Sequence, residues 1–429
     1  IAACIFAQSK KNSADTAAAL ETDSISETNS DSNTDDFDSL FEDAQDVTEA
    51  VQSAPKDDKN AVTVKVQDYS IPLRFSGYLE SEMGVGYVRD ESAAQKNDVT
   101  GGIKFYNDLN FSARADKTIG IHATVRTKYP TWAFSLYEMY FDYLMFDKVY
   151  ITAGKKSTSW GYIRLFSDDK VYDPDKTVNT DPLLTNILND SRDGTSGQLR
   201  IPFWTGTITG FVLYKGAAEE PSYQDMSIAG SIEMTVWHTS INLFGRKYPD
   251  KDSAQASEYQ TPLVGLEMKR TILDADVYGQ GMARIENTDL VKDFGTSLIK
   301  GNQITVADLQ GFQKLLFTCG LYKWWDKHDP NVGFNFEFQD VFVPSLDSHT
   351  RRIAFDGGIK RLGKNKNIKL GLTWHHNIDE KSGDVKPGLI ITGVIPHAEW
   401  NNGVKVEYGG SYTQPKVTIG TSLKITMNY

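Results

Sequence analysis

The sequence predicts an all-β chain, a single transmembrane antiparallel up-and-down β-barrel of about 18 strands, with 16 as the alternative count. Three observations predict it. Apolar and polar residues alternate with period two from residue 71 to residue 429. The alternating runs are about 9 to 14 residues long, enough for a tilted strand to cross a bilayer. Short and long connections alternate between them, as they do at the two ends of a barrel.

Composition agrees with a wall that shows only every second side chain to lipid. Hydrophobic residues make up 40% and mean hydropathy is −0.41. No stretch of 18 apolar residues occurs, so no helix is predicted to span. Aromatic residues make up 11%, as expected of a barrel with aromatic girdles at both interfaces. The formal net charge is −12, but it sits mostly in residues 1–60, where 14 acids meet 4 lysines. The remainder is nearly neutral, and no basic patch points to nucleic acid. Cys4 and Cys319 are the two cysteines. With Cys4 in a targeting segment, no intramolecular disulfide is expected.

Residues 1–7 read as the remnant of a secretory signal, with Ile5 and Ala7 fitting the positions before a cleavage ahead of Gln8. Ile1-Ala2-Ala3-Cys4 also fits a lipobox, which leaves Cys4 either removed or lipidated. Residues 8–60 are rich in Asp, Ser, Thr, Ala and Asn and are expected to form a disordered acidic tail. Within it, Phe37, Leu40, Phe41, Ala44, Val47 and Val51 recur at helical spacing, so a short amphipathic helix is expected near 36–51. It reads either as a transient helix in a linker or as a docking helix whose stripe of Phe37, Leu40 and Phe41 would meet a periplasmic partner or the barrel mouth. Residues 61–429 form the barrel.

The strands follow in order. The first, near 71–88, alternates Leu73, Phe75, Leu79, Met83 and Val85 with Arg74, Glu80 and Glu82. Further runs are expected near 101–114, 117–129, 135–146 and 148–156. A long connection over 157–195 separates these from runs near 196–203, 206–214, 227–237, 239–247, 262–270 and 273–284. The remaining runs fall near 311–324, 331–340, 351–361, 366–377, 387–397, 402–412 and 417–429. In the last of these, Val417, Ile419, Leu423, Ile425, Met427 and Tyr429 alternate with polar residues. Turns such as 115–117 and 146–148 are short, whereas 89–100, 157–195, 215–226, 248–261 and 285–310 are long. Residues 129–135 and 413–416 are short where the alternation asks for long ones.

The polar face of these strands carries both signs of charge, which suits a water-filled lumen. The residues expected to line it are Arg74, Glu80, Glu82, Lys104, Asp108, Arg126, Glu138, Asp142, Glu337, Arg352, Asp356, Lys369 and Lys424. The long connection carries Asp168, Asp169, Asp173 and Asp175, together with Pro174, Pro182 and the apolar stretch 183–188.

At this point the chain resembles Gram-negative-type outer-membrane porins. The final strand, with Leu423, Ile425, Met427 and a terminal aromatic in Tyr429, is similar to the signal read by the outer-membrane assembly machinery. The long connection 157–195 resembles the loop that general porins fold into the barrel as a constriction, which here would carry Asp168, Asp169, Asp173 and Asp175. The acidic tail with Asp35-Asp36-Phe37-Asp38-Ser39-Leu40-Phe41-Glu42-Asp43 is similar to exported spirochaete proteins. The resemblance implies passive diffusion of ions and small hydrophilic solutes, contact with outer-membrane lipid, and a homotrimer. A structural or adhesion barrel with a filled lumen is the competing expectation, and a transporter of hydrophobic substrates would need an apolar lumen.

Enzyme chemistry is not expected. The sequence has no Gly-x-Ser-x-Gly elbow and no His-Glu-x-x-His. His375 and His376 point to opposite faces of a strand and cannot share a ligand. Asp347 with His349, and His328 with Asp329, are short acid–histidine pairs of a kind that arise by chance. No calcium-loop spacing occurs, so neither metal nor cofactor is expected.

Overall fold

β-Branched and aromatic residues at every second position favour extended chain when one face is apolar and the other polar. The computed structural model describes residues 61–66, 69–91, 97–114, 118–129, 131–156, 158–166, 188–189, 194–216, 222–256, 260–301, 303, 305–325, 329–410 and 412–429. The expected signal remnant 1–7, the acidic tail 8–60 and its helix with Phe37, Leu40 and Phe41 lie outside the described residues, as do Asp168, Asp169, Asp173 and Asp175.

The strands are β1 (Ala61–Val66), β2 (Tyr69–Arg89), β3 (Asn97–Arg114), β4 (Ile119–Tyr129), β5 (Ala133–Met145), β6 (Val149–Lys155), β7 (Ser159–Trp160) and β8 (Leu188–Asn189). They continue as β9 (Thr195–Phe203), β10 (Gly206–Tyr214), β11 (Ser227–Val236), β12 (Thr239–Lys247), β13 (Leu263–Ile272), β14 (Ala275–Ile285), β15 (Phe312–Trp325) and β16 (Asn331–Val343). The last are β17 (Ser348–Leu362), β18 (Ile368–Asn377), β19 (Ser382–Thr392), β20 (Ala398–Tyr408) and β21 (Lys416–Asn428). Among the described residues one α-helix, α1 (Thr288–Ile299), lies between β14 and β15 and is capped by the Asn287 side chain.

Leaving aside β1, β7 and β8, each strand pairs antiparallel with its neighbours in chain order. The ring closes where β2 pairs with β21, from Tyr78↔Asn428 to Arg89↔Val417. The result is a closed barrel of 18 strands, which leaves the wall without an unpaired edge. Below the seam, β1 pairs with the first part of β2, Ala61 opposite Arg74 and Val66 opposite Tyr69. At the seam itself Tyr429 exchanges two backbone hydrogen bonds with Gly77, at 2.7 and 3.0 Å. A Cβ at position 77 would lie 2.1 Å from the Tyr429 ring, so a larger residue there would have to displace that ring.

The expected strands all form, within a few residues of the expected ends. The largest displacement is β19, expected at 387–397 and found at Ser382–Thr392. Pro387 reads from sequence as a strand start because it lacks an N–H. Here the ladder to β20 simply skips that point, pairing Val385↔Val406 and resuming at Gly388↔Gly403.

The connections at the end that holds Tyr429 contain five residues or fewer, including 204–205, 237–238 and 273–274. At the opposite end 156–194, 215–226, 248–262 and 286–311 are long, but 344–347 and 378–381 are as short as turns at the other end. The expected alternation of loop lengths therefore weakens over the last third of the chain.

Large apolar side chains face outward and are exposed around the ring, among them Ile121, Phe141, Leu243, Leu266, Phe317, Leu372, Trp400 and Ile425. The opposite face of the same strands holds Glu82, Asn242, Glu267, Gln280, Thr318, Glu337, Gln339 and Asp384, all buried. This is the reverse of a water-soluble sandwich, where the apolar face is the covered one.

A candidate channel interior

The inner wall is built in two parts. Over β10–β16 its upper region is apolar. Phe211, Leu213 and Ala229 form one cluster, and Phe244, Tyr248, Leu263, Met282, Leu316 and Val341 form another. Such a surface inside a channel would be costly to wet, and it is covered. The segment following β6 turns back inside the barrel and lays Trp160 against both clusters. Its ring meets Phe211 edge-on at 6.0 Å. The two-residue ladder between β7 and β8 pairs Ser159 with Asn189 and Trp160 with Leu188.

Polar contacts fix the same segment. The buried Glu337 carboxylate accepts the backbone N–H groups of Arg164 at 2.6 Å, Leu165 at 2.9 Å and Phe166 at 2.9 Å. The Tyr278 hydroxyl donates to it as well, at 2.6 Å. Glu267 accepts the Tyr162 N–H at 3.1 Å and the Asn242 amide at 3.1 Å. Ile163 and Phe166 pack against Tyr278 and Ala354. The Arg164 guanidinium lies 3.8 Å over the Tyr322 ring and 3.8 Å from Asp276. A backbone turn inside the wall thus has its N–H groups satisfied by carboxylates, which is what a buried loop requires.

The other part of the wall, β17–β21 and β2–β6, carries ladders of opposite charge. Arg126 makes a two-pronged pair with Asp108, both bonds 2.7 Å, and lies between the rings of Tyr137 at 3.3 Å and Tyr106 at 4.5 Å. Lys424 meets Glu80 at 3.1 Å, and Lys369 meets Glu399 at 3.5 Å. Glu82 stands in register between Lys104 and Lys424. Asp142 accepts from Thr152 at 2.6 Å and lies 3.5 Å from His122. Near the upper rim His375 meets Asp384 at 3.1 Å, and Lys405 and Lys416 both meet Glu407.

Of the expected lining residues, Glu80 and Lys424 come together, as do Asp108 and Arg126. Glu82 and Lys104 are register neighbours. Arg74 lies opposite Ser112, Asp356 opposite Asn335, and Arg352 opposite Gln339. Glu138 and Asp142, four residues apart in the unbroken ladder Thr124↔Glu138 to Gly120↔Asp142, share a face. Glu337 differs in kind, because its carboxylate is fully engaged by the loop. Leu423, Ile425, Met427 and Tyr429 lie on the outward side of β21, the last three exposed.

Sequence reasoning passed over Tyr106, Tyr137, Tyr278 and the run Trp160–Phe166. The signal was present: that run holds three aromatic residues and no acid in a connection otherwise dense with aspartate. The histidine pairs behave differently from one another. His375 and His376 do face apart, the second stacking between Trp374 and Tyr408. His349 meets Asp340 at 3.0 Å, not Asp347.

No protein-family model matches the chain, and no curated protein matches it. Among solved structures it is similar to a triple mutant of the Rhodopseudomonas blastica porin, with a TM-score of 0.42 and 9% identity over 83% of this chain and 100% of that one. It is also similar to the outer membrane protein opdK from Pseudomonas aeruginosa, with a TM-score of 0.45 and 7% identity over 83% of this chain and 99% of that one.

Proposed function

We propose that the protein is a porin-type channel of a bacterial outer membrane, through which ions and small hydrophilic solutes diffuse passively. The observation that carries this reading is the inversion of the closed barrel, with exposed apolar side chains outside and paired charges inside. Only closed strands or helices satisfy the backbone groups in lipid, and the 18 strands close into a ring through β2 and β21. Among the described residues, Gln198 Nε2, Asn242 Oδ1 and Ser422 Oγ on the inner face have no protein hydrogen-bond partner.

In this reading the 157–195 connection narrows the lumen. Its first part is held by Glu337 and Glu267, and Asp168, Asp169, Asp173 and Asp175 set acids against the charged wall of β18–β21 and β2–β6. The wall residues Arg74, Glu80, Glu82, Lys104, Asp108, Arg126, Glu138, Asp142, Arg352, Asp356, Lys369 and Lys424 then set the field felt by a passing ion. The short-turn end faces the periplasm, where the tail 8–60 also lies. The exposed outer positions of β21 serve as the assembly signal.

Single-channel recording in a planar bilayer tests the proposal. Steady open steps with a reversal potential set by the inner charges are expected. Folded protein that does not conduct favours the second reading, a structural barrel whose interior is filled, for which the loop covering β10–β16 is the supporting observation.

A further inference from the structure

The four short turns after β5, β9, β11 and β13 share an unusual feature. Each places a large apolar side chain at its tip: Phe146, Trp204, Trp237 and Leu273, which are 82%, 98%, 87% and 87% exposed. All four have positive φ, at 55°, 37°, 48° and 51°. That backbone region suits glycine or asparagine, the usual residues of two-residue hairpins, and disfavours bulky side chains. The tips occupy one continuous arc of the barrel, at the end that holds Tyr429.

Most strands of this arc are short, although β5, which leads into Phe146, has 13 residues and β14 has 11. β9, β10 and β12 have nine residues, β11 and β13 have ten, and β6 has seven. At about 3.4 Å per residue and a tilt near 40°, nine residues rise about 23 Å. The apolar band of such a barrel is about 25 Å tall. Strands of this length have none to spare for lifting their turns into water. The outward apolar residues accordingly run up to the tips, with Val236 before Trp237 and Ile272 before Leu273. Where strands are longer, at β17 with 15 residues, the following turn is polar, Gly363-Lys364-Asn365-Lys366-Asn367.

We propose that Phe146, Trp204, Trp237 and Leu273 insert into the headgroup boundary of the adjacent lipid leaflet and anchor the short side of the barrel there. The proposal rests on the membrane-spanning reading above. Each tip adjoins a polar residue, Asp147, Thr205, His238 or Asp274, as an amphipathic boundary demands. Arg270, exposed on the outer face three residues before Leu273, has a stem long enough to bring its guanidinium down to phosphate level.

Depth-dependent quenching of tryptophan in full-length protein refolded into phosphatidylcholine vesicles tests this. The emission of one residue is isolated as wild type minus Trp204→Phe or wild type minus Trp237→Phe, and Trp400→Phe isolates a wall residue. Bromines placed near the acyl carbonyls should extinguish most of the Trp204 and Trp237 components, deep bromines should do so less, and aqueous iodide should leave them. Iodide quenching of both tips while lipid bromines quench Trp400 overturns the anchor and leaves the barrel in the membrane. Absence of bromine quenching at all three sites overturns the anchor together with the membrane-spanning reading.

Discussion

The Glu337 carboxylate on β16 accepts the backbone N–H of Arg164 at 2.6 Å, across the interior and from 173 residues away in the chain. Two further N–H groups and the Tyr278 hydroxyl converge on the same carboxylate. Replacing it removes the acceptor of three backbone N–H groups and of the Tyr278 hydroxyl at once. A hydrogen bond to a charged group contributes about 1.5–3 kcal/mol, so Glu337→Ala should release the 158–166 segment without opening the ring. The expected readout is faster proteolysis within 157–195 and noisier, larger conductance steps. Unchanged proteolysis and conductance would show that the apolar contacts alone hold the segment.

Trp160 makes those apolar contacts. Trp160→Ala leaves a hole against Phe211 and Phe244, and large-to-small changes of this kind cost about 3–5 kcal/mol. The segment should detach locally, raising hydrogen exchange in residues 158–166 while strand amides stay protected. Equal protection in mutant and wild type would sink the idea that Trp160 docks the loop.

Arg126 and Asp108 form the best-defined pair on the charged wall. A double-mutant cycle with Arg126→Lys and Asp108→Asn should give a favourable coupling in denaturant unfolding, smaller than the about 1.5–3 kcal/mol of a charged hydrogen bond because lysine still pairs with Asp108. Lysine keeps the charge but loses the fork and the stacking on Tyr106 and Tyr137. A coupling near zero would mean that lumenal water screens the pair completely.

At the upper rim Asp379 accepts the Arg351 backbone N–H at 2.6 Å and its guanidinium at 3.1 and 2.5 Å. These bonds hold the Asp379 carboxyl below its ordinary value of 3.8. A lowered value means the unfolded turn binds the proton more readily, so the contribution is present above about pH 4 and fades as pH falls through the depressed value. Exchange protection in residues 378–381, corrected for intrinsic rate, should be flat from pH 8 to pH 5 and fall below pH 4. In Asp379→Asn that acid-dependent step should vanish, and its persistence would assign the step to another group.

Much of this architecture was readable because a strand betrays itself by period two. Ile368, Leu370, Leu372 and Trp374 could belong to nothing else, and the opposite facing of His375 and His376 followed at once. What was hidden follows different rules. Tyr137 sits at a bulge, where alternation slips by one and no local residue announces it. The stretch Trp160–Phe166 has no period, since its side chains answer to Phe211 and Tyr278 and its backbone N–H groups to Glu337, each far off in sequence. Aspartates drew attention to the middle of that connection, whereas its described anchor is aromatic. The four protruding turn tips also escaped notice, because a tryptophan beside a strand end reads as ordinary strand composition.

Val417 and Arg89 stand side by side at the seam although more than three hundred residues separate them. Closure therefore joins the beginning of the wall to its very last strand. No subset of the chain ending before β21 can seal, so a nascent fragment exposes two open edges however many hairpins it has formed. Contacts this distant make the final step slow, and an incomplete sheet with apolar side chains on its outer face is an aggregation hazard until then. In the membrane-spanning reading proposed above, insertion into lipid and completion as a ring become one event.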